Sequence, residues 1–298
     1  VIENGKEMMI EKGPRRVGAH IVGACQPNAV VAAIKEVLGI ETETYTVSTA
    51  CAAGMDALAR AFDVIADNRT DLVLVGGVDA PITPLTVACF GATSLVGNWD
   101  GPPSEASRPF DRMRQGGILA EGAAFFVMES LDHALARGVT PYIELLGHSG
   151  CVDPAGSETA EGFNTSIAAA MENARTTAQK IDYVCAHGPS DETIDRVETQ
   201  CIKKCLGNHA YRIPVSSIKG VTGNPLAAAG PLQLAATALA MRGNLAPPTA
   251  NHQHPDANCD LDYVPLRARN YIINRALINV HGMGGLNNSL IVQRIKKL

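Results

Sequence analysis

Apolar positions along this chain follow two periods, and their alternation predicts a succession of strands and helices. Thr44 to Val47 is β-branched and apolar, which predicts a buried strand; Met55, Leu58, Phe62 and Ile65 then recur at helical spacing, predicting a helix from about Cys51 to Asp67. DLVLVGGVD, Asp71 to Asp79, is apolar on both faces and predicts a central strand covered by helices on each side. The order then repeats: a strand over Phe125 to Glu129, a helix over Leu131 to Arg137, a strand over Pro141 to Leu146, a helix over Thr165 to Gln179, a strand in IDYVCAHG and a helix over Asp195 to Leu206. RIPVSSIKG predicts a strand before a Gly/Ala-rich helix from Leu226 to Met241. RALINVHGMGG and NNSLIVQRI close the chain as two strands around a glycine turn, where backbone N–H groups can approach a ligand closely. Asn244 to Asp256 is Pro-rich and reads as a surface loop. The class this predicts is α/β.

Composition narrows the function without choosing it. The 298 residues suffice for one large domain or two ordinary ones. With 18% charged residues and a formal net charge of −5, nothing invites a nucleic acid. No apolar run is long enough to cross a bilayer, and VIENGKEMMIEKG lacks the basic start and apolar heart of a signal peptide, so no membrane insertion is expected. The 8 cysteines lack the regular spacing of a disulfide framework and suit a reducing cytoplasm. Two metal-like groups are discounted: Gly207 should end the helix of Cys201 and Cys205 before His209 joins their face, and His252, His254 and Cys259 lie in a loop.

The chemistry concentrates in VSTACAAG, Val47 to Gly54. Cys51 lies between the expected strand and the expected helix, where unpaired N–H groups and the positive end of the helix dipole should lower its pKa and make it a nucleophile. Small neighbours at Ala50, Ala52, Ala53 and Gly54 leave room for a substrate.

Together with GPRRVGAH, SRPFDRMRQGGILAEGAA, HALARG, YVCAHGPS, VSSIKGVTGNPLAAAGP, PDANCDLDYVP and ALINVHGMGG, this block makes the chain resemble the β-ketoacyl carrier-protein synthases, the condensing enzymes of fatty-acid and polyketide synthesis. The resemblance implies a thiolase-like α/β fold, layered αβαβα, with two pseudo-symmetric halves. Residues 1–139 would be the remainder of the half carrying the nucleophile, and 140–298 the half carrying the histidine, the asparagine and the glycine turn. It implies acyl transfer to Cys51 and decarboxylative condensation with a malonyl unit. No cofactor would be bound, since substrates arrive on the phosphopantetheine of an acyl carrier protein. A homodimer, or a heterodimer with a ketosynthase-like subunit, is expected.

Residue by residue, His187 matches the histidine that stabilises the malonyl enolate. Lys219 matches an organising lysine, and Glu198 a carboxylate able to hold it. Gly282, Met283 and Gly284 match a turn that gives an oxyanion hole from the Met283 and Cys51 N–H groups. The pattern departs at Asn224, where elongating enzymes carry a second histidine; asparagine keeps a donor but cannot become a cation. His281 and Met283 replace phenylalanines at the acyl gate, and Leu286 a threonine. Two alternatives follow: a non-catalytic partner resembling a chain-length factor, or a malonyl decarboxylase or acyltransferase. The family pattern also implies roughly a hundred residues ahead of Val1, without which an apolar sheet face would be exposed.

Overall fold

The computed structural model describes residues 1–93, 95–155 and 159–295. Three short helices, α1 (Ile2–Lys12), α2 (His20–Ala24) and α3 (Ala29–Leu38), come first. A tight turn at Ala50–Ala52 then opens α4 (Ala53–Ala66), followed by β1 (Leu72–Asp79), α5 (Pro84–Gly91), β2 (Gly122–Glu129) and α6 (Leu131–Ala136). The second half runs β3 (Ile143–Val152), α7 (Phe163–Asn173), β4 (Tyr183–Cys185), α8 (Glu192–Leu206), β5 (Val215–Ser216) and α9 (Lys219–Thr222). It continues with a turn at Leu226–Ala228, α10 (Ala229–Gly243), β6 (Leu245–Ala246), β7 (Arg269–Asn270), β8 (Arg275–Gly282) and β9 (Leu286–Arg294).

A five-stranded sheet, ordered β3-β9-β8-β4-β5, forms the centre, with β4 parallel to both β5 and β8. Its strands alternate between two cores. Leu277, Ile291 and Val184 pack with Ile167, Ala170 and Ile202 of α7 and α8, whereas Ile278, Val280, Leu290 and Val292 pack with Met55, Leu58 and Leu234 of α4 and α10. Both faces of these strands are buried, so they need apolar residues at successive positions.

Helices α4 and α10 lie between this sheet and the antiparallel pair β1–β2. They cross through small residues. A Cβ on Gly54 would stand 2.3 Å from the Ala227 carbonyl oxygen and 2.5 Å from the Pro231 ring, and one on Gly230 would stand 3.1 Å from the Met55 Cβ. The two helices also open alike, since each preceding turn begins on a non-glycine residue with positive φ, Ala50 at 51° and Leu226 at 45°. In chain order α4 is followed by β1 of the antiparallel pair β1–β2, and α10, after the short β6 and β7, by β8 of the antiparallel pair β8–β9.

Two expectations are corrected. Thr44 to Val47 forms no strand and is largely exposed, because a short extended segment needs a hydrogen-bonding neighbour and none lies alongside among the described residues. DLVLVGGVD does form β1, but not as a central strand. Among the described residues it pairs with β2 alone, and Leu72 and Leu74 share an exposed face with Phe125 and Val127. Among the described residues no helical layer covers these four side chains.

Candidate active site

Cys51 sits in the Ala50–Ala52 turn, held from several sides. The Ala52 N–H donates to the Thr49 carbonyl, the Thr49 hydroxyl donates to Asp56, and Asp56 accepts from Asn288 on β9 at 2.7 Å. These ties hold Ala50 in a backbone region that side chains rarely adopt. The end of β8 passes close by: a Cβ on Gly282 would lie 3.1 Å from the Ala52 nitrogen.

The thiol is buried, and the expected low pKa is reversed. Burial pushes it up; the Lys219 charge and the backbone N–H groups of Met283 and Cys51 pull it down without overcoming desolvation. In the resting protein the group is therefore a thiol, and a proton must leave before the sulfur attacks. Those same two N–H groups are the pair expected to form the oxyanion hole. Gly284 and Gly285, with φ of 83° and 74°, make the turn that carries Met283.

His187 follows β4 and is buried. Its ring Nδ1 lies 2.7 Å from Lys219 Nζ, which also donates to the His187 carbonyl at 2.7 Å. An ammonium has no lone pair, so Lys219 must donate to Nδ1, and the ring's own N–H is placed on Nε2. Burial and the Lys219 charge hold the His187 pKa well below the ordinary range. The imidazole is thus a neutral donor. Burial likewise brings Lys219 down to about 8, against the opposing pull of Cys51 and Glu198.

Glu198 does not hold Lys219 directly. Its oxygens accept from the backbone N–H groups of His187 (2.8 Å) and Gly188 (2.9 Å) and from Asn279 Nδ2 (3.0 Å). Glu198 therefore fixes the backbone that carries the histidine, and it reaches Lys219 only through the electrostatic field.

Asn224 is set by the chain on either side: its N–H donates to Ile118 O at 2.7 Å, and its carbonyl accepts from Ala120 N at 3.0 Å. Its side-chain Oδ1 is buried without a hydrogen-bond partner. Cys51, His187, Asn224, His281 and Met283 all line one cavity of about 60 Å³, closed by Phe90, Leu119 and Leu226 among others. A larger recess of about 1250 Å³ opens between β2, the end of α4 and β3, but none of the expected site residues lines it.

The two gate residues differ. Met283 is 47% exposed, as a gating side chain must be, whereas His281 is 5% exposed and fastened to Asn287, so it is no swinging gate. Sequence reasoning missed Asn287, Asp153 and Phe163. Phe163 packs against both imidazoles, with ring centroids 6.4 Å from His187 and 6.1 Å from His281. Among the described residues no three His, Cys, Asp or Glu side chains are grouped to hold a metal, and Cys201 and Cys205 instead donate to backbone carbonyls.

The family models for the beta-ketoacyl synthase N-terminal and C-terminal domains match residues 3–134 and 147–253. A putative polyketide beta-ketoacyl synthase 1 of Streptomyces halstedii is 40% identical over 93% of this chain and 67% of its own length. The tetracenomycin polyketide synthase ketoacyl synthase alpha subunit of Streptomyces glaucescens is 41% identical over 91% of this chain and 65% of its own length. The 3-oxoacyl-[acyl-carrier-protein] synthase 2 of Coxiella burnetii is 35% identical over 99% and 72%. The chain thus spans about two thirds of the polyketide relatives' length. Among solved structures, a type II polyketide synthase acyl-carrier protein in complex with its ketosynthase bound to the hexaketide superposes with a TM-score of 0.93 at 31% identity, covering 99% of this chain and 76% of that one. The ishigamide ketosynthase/chain length factor gives 0.91 at 29%, covering 99% and 72%. With this fold, this cavity and these matches, the chain belongs to the beta-ketoacyl synthase family and has its thiolase-like fold.

Proposed function

We propose that the chain catalyses decarboxylative Claisen condensation of an acyl thioester with malonyl-carrier protein, through an acyl-Cys51 intermediate. The observation that carries this reading is the meeting of the Cys51 sulfur, two backbone N–H groups directed at it, the His187 imidazole and the Asn224 carboxamide around one small cavity. In the first half-reaction the sulfur attacks the carrier-bound thioester, and the phosphopantetheine thiol leaves. In the second, the malonyl carboxylate departs as carbon dioxide and its electron pair enters the thioester, whose oxygen gains charge beside the His187 Nε2–H. The enolate carbon then attacks the acyl-Cys51 carbonyl, the Met283 and Cys51 N–H groups take the resulting oxyanion, and Cys51 is released as the leaving group. Lys219 positions His187; Asn224 supplies a second neutral donor through its NH₂.

The same reading divides the chain near 139/140, with Cys51 from the first half and His187 and Asn224 from the second. Its partners are an acyl carrier protein and a second ketosynthase-like subunit, identical or not. What supports them is the similarity to two solved structures, a ketosynthase with its acyl-carrier protein and a ketosynthase/chain length factor. No described helix is long and apolar enough to cross a membrane. A retained, desolvated cysteine favours catalysis over a purely pocket-shaping subunit.

The test is incubation with acyl-carrier proteins of several chain lengths, then malonyl-carrier protein, with peptide mass spectrometry and product analysis. Acyl mass on the Cys51 peptide followed by a β-ketoacyl product is expected. Acetyl-carrier protein without any carbon–carbon bond would leave a decarboxylase, and an unlabelled Cys51 would end the reading.

A further inference from the structure

Gln233, in the second turn of α10, carries a buried carboxamide that the condensation scheme leaves without a role. Its Nε2 lies 2.9 Å from the Ala186 carbonyl oxygen, 3.0 Å from that of Asn279 and 3.3 Å from that of Cys185. All three are acceptors, so the nitrogen must face them and the oxygen must face away. Oε1 is then buried without a hydrogen-bond partner. An orphaned buried acceptor is unfavourable, and such a group calls for a reason beyond packing.

The reason lies in the peptide unit that Gln233 holds. The β4–β8 ladder ends at Cys185 and Ile278, one residue short of Ala186 and Asn279. The next peptide joins Ala186 to His187. Its N–H donates to Glu198 Oε1 at 2.8 Å, from the sheet face that α8 covers, and its carbonyl accepts from Gln233, from the face that α10 covers. In a trans peptide these two groups point opposite ways, so the unit stands across the sheet, where a neighbouring strand cannot satisfy it. Asn279 is held from the same two sides: its Nδ2 donates to Glu198 at 3.0 Å, and its carbonyl accepts from Gln233. A carboxylate on one face and a carboxamide on the other thus clamp β4 to β8, the first through donors of the strands and the second through their acceptors.

We infer that Gln233 is a positioning residue for the condensation, fixing the Ala186–His187 peptide, and with it the imidazole, relative to the Met283 turn at the end of β8; this rests on the functional reading above. A rotation of that peptide moves the His187 Nε2–H away from the malonyl thioester oxygen and leaves the Cys51 turn, on another element, in place. Lys219 fixes the tautomer of the ring, Glu198 one end of the peptide that carries it, and Gln233 the other end. The ionisable group against the amide is Cys185, with Sγ 3.7 Å from Nε2, and burial keeps it a thiol.

The test compares the wild-type chain with Gln233→Met, which keeps the length of the side chain and removes both of its donor hydrogens, with melting curves as a folding check. The kcat for decarboxylation of malonyl-carrier protein should fall at least about tenfold with KM changed by no more than about twofold, because the His187 donor acts on charge that develops only in the transition state. Hydrogen exchange of the His187 and Gly188 N–H groups should also speed by at least about tenfold, as the clamp loosens from one side. A folded variant with wild-type kcat overturns the inference. Should the variant not fold, NMR of the wild-type chain decides: Gln233 NH₂ protons protected from solvent exchange for hours support it, and exchange within seconds overturns it. Neither exchange measurement needs a substrate. Protected NH₂ protons in a wild-type chain that decarboxylates nothing would overturn the functional reading, and with it the catalytic use of the clamp, while the clamp itself stands.

Discussion

Replacing Lys219 with methionine separates the two things this lysine does, because its charge and its hydrogen bonds act in opposite directions on stability. A fully buried ammonium whose pKa falls from 10.5 to about 8 costs the fold about 3 kcal/mol at neutral pH. Against this, Nζ makes two hydrogen bonds of 2.7 Å to His187, and removing it strands the His187 carbonyl at about 1 to 3 kcal/mol. The two effects nearly offset, so Lys219→Met should change unfolding free energy by no more than about 2 kcal/mol at pH 7. The folded pKa lies below the unfolded one, so between pH 8 and 10.5 the unfolded chain binds more protons and stability gains with rising pH; the variant should lose that gain. Activity is another matter. Without Lys219 nothing fixes the His187 tautomer, and loss of one oriented donor to a developing oxyanion costs about 10²–10³ in rate. The assay is decarboxylation of malonyl-carrier protein against pH beside urea unfolding curves. Wild type should lose rate above about pH 8 as Lys219 deprotonates. A stable Lys219→Met chain that keeps its rate and its alkaline limb would refute the tautomer argument.

Further outcomes follow from the same geometry. Gly54→Ala places a Cβ 2.3 Å from a backbone oxygen and should cost more than about 2 kcal/mol by forcing α4 from α10, read as a lowered urea midpoint. Glu198→Gln turns an NH₂ toward one of three donors that now meet a carboxylate, and should cost about 2 kcal/mol with a matching rise in mobility of the His187 backbone, measured by amide exchange. Asn224→His adds a stronger donor at the same wall of the cavity and should keep or raise malonyl decarboxylation; a collapse of that rate in a folded chain would contradict the role of the carboxamide.

Much of the fold was legible because β4, β8 and β9 bury both faces, and such strands announce themselves as continuous apolar runs. The same rule misplaced β1, whose apolar second face is exposed, since hydrophobicity reports what a strand suits rather than what covers it. Thr44 to Val47 shows the limit again: a strand exists only with a neighbour. Within the site, Cys51, His187, Asn224 and Met283 meet as their motifs implied, but the direction of the thiol pKa was not legible. A helix N-terminus can be read locally, whereas desolvation depends on how tightly β8 closes over the turn. Glu198 was recognised and its partner misjudged, because a carboxylate's partners are chosen in space. The His281–Asn287 pair did leave a signal: two strands joined by a short glycine turn place residues six apart opposite each other. Asp153, which accepts from the Asn287 amide 134 residues away, left none.

The central claim is tested most directly by a crystal structure of the chain trapped with an acyl group on Cys51. The account predicts a thioester carbonyl oxygen within hydrogen-bond reach of the Met283 and Cys51 N–H groups, with the His187 ring and the Asn224 carboxamide on the open side of the same chamber. An acyl group on another cysteine, or a carbonyl oxygen turned away from both N–H groups, would contradict it.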